Sequence, residues 1–208
     1  MARNRWMAEH FSDPYVKQAQ ALGYRSRATF KLMEIDAQDR LIKPGSVVAD
    51  LGAAPGGFSQ YVATRLGPQG RIVAVDLLAM DPLAGVVFIQ GDFTESQCYA
   101  EVQAALGDRV DLVISDMAPN ISGVGVADQA KVIGLAEMAL AFAVSCLTAE
   151  GSCLIKVFQG AGFPEFLADM RHHFKRVATR KPPASRPRSP EVYLLGTGLR
   201  PVVSGPES

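Results

Sequence analysis

A lysine inside an apolar strand is the residue of this sequence with the clearest chemical potential. Lys156 lies within the run Cys-Leu-Ile-Lys-Val-Phe at residues 153–158, and an ammonium group is costly to bury unless it is paired or faces a cleft. Asp116 ends the neighbouring predicted strand on the same side of the sheet. We predict that Lys156 and Asp116 form an ion pair in a cleft, where an amine is one of the side-chain groups that can transfer protons. A strand-end lysine that extends into solvent is the alternative.

A glycine-rich loop is the second candidate for chemistry. Residues 47–51 read as an apolar strand, and the following Gly52-Ala-Ala-Pro-Gly-Gly57 packs three glycines and a proline into six residues. After the first strand of an open α/β sheet, such a loop lets a nucleotide-like ligand approach the backbone closely. The dinucleotide pattern G-x-G-x-x-G is not met, because Ala54 replaces its second glycine and Pro55 stiffens the turn. S-adenosylmethionine, which has an adenosine but no pyrophosphate, suits the loop better; an ordinary strand-to-helix connection is the alternative.

Two aspartates end the next two predicted strands. Asp76 ends the strand at residues 71–76, where nucleotide-binding α/β folds place a carboxylate that binds the ribose hydroxyls. Asp92 follows the strand at residues 86–90, where it can accept a hydrogen bond from the exocyclic amine of adenine. An acid at a strand end is also common as a turn residue or helix cap.

The composition is that of an ordinary globular protein. The chain has 208 residues, of which 48% are hydrophobic and 20% charged, so a single domain is expected. The apolar stretch at residues 132–147 is short for a bilayer span and contains Glu137, and the N-terminus lacks the apolar core of a signal peptide. Three cysteines, at positions 98, 146 and 153, show no C-x-x-C spacing. These features predict a cytoplasmic protein without a membrane segment or a metal site.

The net charge of zero conceals basic ends on an acidic body. Residues 1–31 carry six Lys and Arg against two acids, residues 171–191 carry seven against one, and the remainder is strongly acidic. Two basic segments predict a polyanion partner, provided that the fold brings them together. Solvated surface charge is the alternative. Within the first segment, Arg25 and Arg27 lie in a turn suited to phosphate, and Lys31 shares a helix face with Arg27.

Hydrophobic periodicity predicts an α/β fold. Two helices come first; the first begins at Phe11, and the second has Ser26 as its N-cap. From residue 47 onward, strands and helices alternate. Gly151 is predicted to form a turn before the lysine-bearing strand, and the proline-rich, basic loop at 182–190 joins the last two strands. The predicted helices cover residues 11–23, 26–40, 95–106, 126–147 and 163–174, with another starting after the glycine-rich loop; the predicted strands cover 47–51, 71–76, 86–90, 110–115, 152–158, 175–181 and 192–197.

The order of these motifs resembles the FtsJ/RrmJ family of RNA ribose 2′-O-methyltransferases. The matching stretches cover about residues 10–200: HFSDPYVKQAQ, YRSRATFKL, DLGAAPGGFSQY, DLLAMDP, QGDF, SDMAPN, IKVFQG and RKPPASRPRSPEVYL. The resemblance implies a Rossmann-like class I methyltransferase fold, a seven-stranded, mostly parallel sheet with one antiparallel strand and helices on both faces. It also implies a single domain at residues 1–208, with a basic helical extension for RNA at 1–43 and a catalytic core at 44–200.

The resemblance further implies the residues of the site. The family's catalytic lysine, aspartate, lysine and glutamate fall on Lys31, Asp116, Lys156 and Glu191, and S-adenosylmethionine is the implied cofactor. Lys156 is the candidate proton acceptor, since burial favours its neutral form, although the neighbouring carboxylates favour the charged form. The implied cofactor-binding residues are Gly56, Phe58, Asp76, Asp92 and Asp116.

Phe58 is a departure from the family pattern, because the bacterial ribosomal RNA enzymes carry Trp at this position. Phenylalanine keeps an aromatic face but lacks the indole N–H, so the side chain cannot donate a hydrogen bond. A contact that the backbone of residue 58 makes with the cofactor would be little affected by this difference.

The expected substrate is a uridine ribose of 23S ribosomal RNA in the large subunit, bound by a monomer through residues such as Arg25 and Arg186. Methylation of transfer RNA or of a cap, and a non-catalytic RNA-binding role in ribosome assembly, are the alternatives. A methyltransferase for planar amines is disfavoured because Asp116-Met-Ala-Pro is not the Asn/Asp-Pro-Pro-aromatic run of those enzymes.

Overall fold

The computed structural model describes residues 13–119 and 125–201. Predictions that concern Phe11, Asn120, Arg3 or Arg5 lie outside these residues. The helices are α1 (Pro14–Ala21), α2 (Ala28–Asp39), α3 (Gly57–Leu66), α4 (Ser96–Leu106), α5 (Gly125–Cys146) and α6 (Phe163–His173). The strands are β1 (Val47–Leu51), β2 (Arg71–Asp76), β3 (Val86–Gln90), β4 (Val110–Ser115), β5 (Leu147–Phe158), β6 (Phe174–Arg180) and β7 (Glu191–Leu199).

The strands form one seven-stranded sheet in the order β3-β2-β1-β4-β5-β7-β6. The pairs from β3 to β5 are parallel, whereas β7 runs antiparallel to both β5 and β6. The strand order reverses between β1 and β4, and open α/β sheets bind ligands beyond the carboxyl ends of their strands at such a point. The predicted Rossmann-like, mostly parallel sheet with one antiparallel strand is confirmed.

Helices cover both faces of the sheet. On one face, α4, α5 and α6 contribute Val102, Leu140, Phe142 and Phe166 to a core cluster. On the other face, α2 and α3 contribute residues such as Leu32 and Val62 to a second cluster. Because both faces are buried, the inner strands are continuous apolar runs rather than alternating ones.

The helix α5 contains an apolar stretch longer than the one that the sequence pattern singles out. Its segment Asp128–Cys146 has a mean hydropathy of 1.4 and meets the length and composition of a membrane-crossing helix. In the structure, Ala139, Leu140, Phe142 and Ala143 of this helix are buried in the main core. A core helix of this kind shares the composition of a membrane span, and the absence of a membrane segment stays a prediction.

Two local predictions are wrong. Ser26 does not cap α2, because the helix begins one residue later than expected from such a cap, with Arg27 at the N-cap position and no side-chain cap. Gly151 does not form a turn before β5, because it lies within the strand. Leu147 already pairs with Val110 of β4, and the register of the two strands shifts before Leu112 pairs with Ser152. The strand therefore starts five residues before the predicted one.

Candidate active site

The carboxyl ends of β4 and β5 bring Lys156 and Asp116 together. Lys156 Nζ lies 3.1 Å from Asp116 Oδ1 and donates a hydrogen bond of 2.6 Å to the backbone oxygen of the same residue. The side chains are only 8% and 20% exposed, respectively. The predicted ion pair in a cleft is confirmed, and the alternative of a lysine that extends into solvent is wrong.

A second ion pair joins the N-terminal helices to the last strand. Lys31 Nζ on α2 lies 2.7 Å from Glu191 Oε1, and each side chain is 12% exposed. Ser185 Oγ donates a further hydrogen bond of 2.9 Å to the same carboxylate oxygen. Glu191 pairs with Phe158 in the antiparallel register of β7 and β5, so β7 places Glu191 beside the end of β5. The four side chains that the resemblance singles out are thus arranged as two ion pairs.

Tyr193 links these two pairs, and sequence reasoning missed it. Its hydroxyl donates a hydrogen bond of 2.7 Å to Asp116 Oδ1, and Lys31 Nζ lies 5.9 Å from the centre of its ring. The residue is fully buried and pairs with Lys156 in the β5–β7 register. Its position two residues after Glu191, on the same face of the strand, is the signal that could have identified it.

The charges of the cluster stabilise one another. Burial by itself raises the pKa of Asp116, but the cations Lys156 and Lys31 and the hydrogen bonds from Tyr193 and Lys156 lower it below the usual range. Burial also raises the pKa of Tyr193 well above its ordinary value, as do the negative charges of Asp116 and Glu191. Tyr193 is therefore a fixed hydrogen-bond donor and Asp116 a fixed carboxylate at neutral pH.

A cavity of about 190 Å³ lies between the glycine loop, residues 52–57, and the start of α2. Gly56 has a φ of 102°, and a Cβ on it would lie 2.7 Å from Met80 Sδ. A Cβ on Gly57 would clash with Ser26 Oγ. Both positions require glycine, one for its backbone conformation and one for close packing. The cavity is lined by Ser26, Arg27, Ala28, Gly52, Ala53, Ala54, Pro55, Gly57, Phe58 and Asp116.

The predicted cofactor acids lie at the same edge of the sheet. Asp76 Oδ2 accepts a hydrogen bond of 2.9 Å from the Ala54 amide, and its Oδ1 accepts one of 2.8 Å from the Leu78 amide. Each oxygen keeps a second lone pair for a ligand. Asp92 Oδ1 accepts a hydrogen bond from the Thr94 amide, and the side-chain and backbone hydrogen bonds with Thr94 lower the pKa of Asp92.

Phe58 lines the cavity, but its side chain is buried in the core. It is 3% exposed, and its ring centre lies 6.5 Å from that of Tyr193. Its role in binding a cofactor stays a prediction.

Comparison with known proteins decides the family. The FtsJ-like methyltransferase family matches residues 24–199, which include both ion pairs and the glycine loop. The chain belongs to this family. It is 57% identical over 197 residues, 94% of each chain, to ribosomal RNA large subunit methyltransferase E of Stenotrophomonas maltophilia. It is 56% identical to the protein of that name from Marinobacter nauticus, over 95% of this chain and 96% of the other.

A solved structure agrees with this assignment. A Plasmodium falciparum protein assigned as a ribosomal RNA methyltransferase superposes with a TM-score of 0.75 at 25% identity, over 85% of this chain and 98% of the other. The predictions of a Rossmann-like methyltransferase fold, of the FtsJ family and of an enzyme are therefore confirmed. Membership of a methyltransferase family also implies a methyl donor.

A larger cleft of about 640 Å³ lies at the opposite edge of the sheet. It is lined by residues such as Ser46, Asp111 and Lys175 and by none of the residues that the resemblance assigns to the FtsJ-like site. Since ligands of open α/β sheets bind at the carboxyl ends of the strands, the smaller cavity beside Asp116 is the better candidate for the donor site.

Metal ligands and cysteines give no further site. Among residues 13–119 and 125–201, no group of three or more His, Cys, Asp and Glu side chains is arranged to hold a metal ion. Cys98, Cys146 and Cys153 are unpaired. The absence of a metal from this methyltransferase stays a prediction.

The basic ends of the chain do meet in the fold. Arg27 lies 3.2 Å from the Asp13 carboxylate and donates a hydrogen bond to the backbone oxygen of Ala184 in the 182–190 loop. Arg180 forms two hydrogen bonds of 2.7 Å with the carboxylate of Asp39. Several of the cations that the sequence suggests for a polyanion are therefore used within the protein. Which of the others bind RNA stays a prediction.

The 182–190 loop is folded onto the N-terminal helices. The amide of Ala184 donates a hydrogen bond of 2.8 Å to Glu34, and Lys181 Nζ donates to the backbone oxygens of Ser189 and Glu191. Arg188 is left exposed on this loop. The loop thereby fixes the position of Glu191 in the site.

A buried aspartate beneath the glycine loop makes a testable contribution to stability. Burial raises the pKa of Asp50 to about 7; the hydrogen bond from Ser59 lowers it in part, and the charges of Asp116 and Asp76 raise it further. Asp50 Oδ1 has no hydrogen-bond partner among the described residues. Because the unfolded carboxyl titrates near pH 4, the folded chain binds more protons between about pH 4 and 7, and this group lowers stability as the pH rises through that range.

Asp50→Asn is therefore expected to stabilise the protein at high pH and much less at low pH. At about 1.4 kcal/mol per pH unit, the upper limit of the gain is about 4 kcal/mol. Urea unfolding of both proteins at about pH 4.5 and pH 8 measures the gain as the difference in free energy of unfolding between variant and wild type. The difference at the lower pH is the control for effects of the substitution that do not depend on pH. A difference that does not change with pH would show that Asp50 does not titrate in this range.

Proposed function

We propose that this chain transfers the methyl group of S-adenosylmethionine to the ribose 2′-oxygen of a uridine in 23S ribosomal RNA. The observation that carries the proposal is the position of Asp116. This residue lines the glycine-loop cavity and also holds the amine of Lys156. A donor in the cavity and a hydroxyl at the amine would therefore be neighbours. The names of the relatives in Stenotrophomonas and Marinobacter support ribosomal RNA of the large subunit as the substrate.

The chemistry of the cavity and of the residues that follow β2 beside it fits the donor. The glycine loop admits a ligand close to its backbone, and the free lone pairs of Asp76 can accept hydrogen bonds from ribose hydroxyls. Leu77 and Leu78, which follow Asp76, are 64% and 68% exposed and offer apolar surface for a flat adenine. Gly56, Phe58 and Asp92 complete the proposed donor site. When bound, S-adenosylmethionine supplies a methyl group already activated by its sulfonium.

Lys156 is proposed to act on the hydroxyl of the substrate. Two of its three ammonium hydrogens face Asp116, which leaves the third position of the amine for the 2′-oxygen. In its neutral form the amine can take the hydroxyl proton, while Asp116 fixes its direction. Most of the rate is expected from holding the oxygen in line with the methyl carbon.

Lys31 and Glu191 are proposed to hold the target nucleotide. Lys31 is tied to Glu191 and lies over the ring of Tyr193, so its ammonium group is fixed near the hydroxyl that Lys156 meets. A fixed cation there can bind a ribose or phosphate oxygen. Glu191 and Tyr193 then orient the two lysines.

RNA is proposed to cross the surface where the N-terminal helices meet the 182–190 loop. Arg186 Nε lies 4.0 Å from the Asp13 carboxylate and is 39% exposed, and the exposed Arg188 follows it. A monomer in the cytoplasm that acts on the large subunit is part of the same proposal, as is an RNA-binding role for the segment at residues 1–43.

Mapping 2′-O-methyl groups on cellular RNA with and without this protein tests the proposal. We expect one methylated uridine of 23S RNA to lose its methyl group in the absence of the protein and to regain it when the gene is restored. Loss of a methyl group from transfer RNA instead would indicate the neighbouring substrate class. Unchanged methylation with a defect in subunit assembly would favour the non-catalytic alternative.

A further inference from the structure

Arg25 lies in the turn between α1 and α2, and its guanidinium spans two loops. Nη1 donates hydrogen bonds to the backbone oxygens of Pro55, at 3.2 Å, and Asp81, at 2.6 Å. Nη2 donates one of 2.8 Å to the backbone oxygen of Pro82. The side chain therefore connects the glycine loop to the 77–85 loop, which follows β2.

The turn that carries Arg25 is itself fixed to the glycine-loop helix. The amide of Arg25 donates a hydrogen bond of 3.0 Å to Gln60 Oε1 on α3. Gln60 Nε2 in turn donates one of 2.9 Å to the backbone oxygen of Gly23. Because both ends of the Gln60 amide hold the turn, the guanidinium starts from a defined position.

The 77–85 loop is held directly over the glycine loop. A Cβ on Gly56 would meet Met80 Sδ at 2.7 Å, Arg25 Nη1 at 3.0 Å and Leu83 Cδ1 at 3.1 Å. The same loop begins immediately after Asp76, whose carboxylate already holds the Ala54 amide of the glycine loop. Two walls of the proposed donor site are thus connected at one end by Asp76 and at the other by Arg25.

We propose that Arg25 is a positioning residue that sets the distance between the two loops of the methyl-donor site, and that it is not a contact for RNA. The inference rests on the proposed function, since it assumes that the donor binds between these loops. The three carbonyl oxygens are met by a planar guanidinium with several N–H groups in fixed directions. A lysine ammonium at the same place keeps the charge but cannot span both loops in this geometry.

The two interpretations of Arg25 predict opposite behaviour of a lysine variant. If Arg25 positions the loops, Arg25→Lys and Arg25→Ala both weaken binding of S-adenosylmethionine, because both lose the guanidinium that donates hydrogen bonds to the two loops at once. If Arg25 binds phosphate, Arg25→Lys retains most RNA affinity, whereas Arg25→Ala loses it and reduces the salt dependence of binding.

Isothermal titration of the full chain with S-adenosylmethionine, without RNA, tests the inference. Both variants are expected to raise the dissociation constant by about ten-fold or more. RNA affinity, measured by filter binding of 23S RNA, is expected to change by less than about two-fold in both variants. The control is Lys17→Ala, which removes an exposed cation of α1 and is expected to leave donor affinity unchanged. Thermal melting confirms that each variant is folded, and Arg25→Gln replaces Arg25→Ala if the latter is not.

Donor affinity that is unchanged in both folded variants would overturn the inference. So would a loss of RNA affinity in Arg25→Ala that Arg25→Lys restores. If the wild-type protein itself failed to bind S-adenosylmethionine, the proposed function would fail with it. Wild-type binding without an effect of Arg25 would remove the positioning role alone.

Discussion

Lys156→Ala is expected to lose nearly all methyl transfer while leaving donor binding nearly intact. The amine lies 3.1 Å from Asp116 Oδ1, which lines the proposed donor cavity, and it is the proposed proton acceptor for the 2′-hydroxyl. Loss of a positioned acid or base lowers a rate by up to about four orders of magnitude, and we expect about a thousand-fold loss here. Single-turnover transfer to 23S RNA, with saturating donor, measures the chemical step separately from binding.

Lys156→Arg distinguishes a proton acceptor from a fixed cation at this position. Arginine keeps the positive charge but is not deprotonated in proteins, so a proton-acceptor role predicts that this variant is as inactive as Lys156→Ala. A fixed-cation role predicts that it retains a substantial part of the rate. Lys131→Ala, an exposed lysine of α5, is the matched control. Full turnover in Lys156→Ala would remove the residue from the mechanism.

Asp116→Ala is expected to lower both activity and stability. Lys156, which is 8% exposed, would lose its carboxylate partner, and the Tyr193 hydroxyl would lose its acceptor. Breaking a buried pair from one side costs about 3–5 kcal/mol; since Lys156 keeps its bond to the backbone oxygen of residue 116, we expect about 2–4 kcal/mol. Urea unfolding measures the loss, and the donor dissociation constant is expected to rise because Asp116 lines the cavity.

A double-mutant cycle isolates the ion pair from other effects of the substitution. Lys156→Met combined with Asp116→Ala removes both charges, so the double variant is expected to be more stable than the sum of the single changes predicts. Activity is not expected to return. Strict additivity of the two free-energy changes would contradict an energetic coupling between these side chains.

The main features of the site were predictable because parallel strands end at a common edge. Asp116 ends an apolar strand and Lys156 lies within one, so both stand out in the sequence. In the structure, Lys156 Nζ lies 3.1 Å from Asp116 Oδ1. Lys31 and Glu191 have no such signal. They lie on separate elements far apart in the sequence, and only the resemblance to a family assigned both to one site; their ion pair is seen only in the structure. Local pattern cannot supply a contact between distant segments.

Other features depend on packing that local sequence does not encode. Tyr193 lies in a predicted apolar strand, and only its pairing with Lys156 and the hydrogen bond of its hydroxyl to Asp116 show its place in the site. Arg25 and Arg27 read as phosphate contacts because they are cations in an exposed turn, yet backbone oxygens of other loops accept their hydrogen bonds. The early start of β5 depends on pairing of Leu147 with Val110, which overrides the expected turn at Gly151.

Transfer of a labelled methyl group in vitro is the most direct test of the proposed reaction. The purified chain is incubated with methyl-labelled S-adenosylmethionine and large subunits or 23S RNA from cells that lack the protein. After alkaline hydrolysis, we expect the label in a dinucleotide whose internal phosphodiester resists cleavage, since a methylated 2′-oxygen cannot attack the phosphate. Label recovered in a base, or in mononucleotides alone, would contradict ribose 2′-O-methylation by this protein.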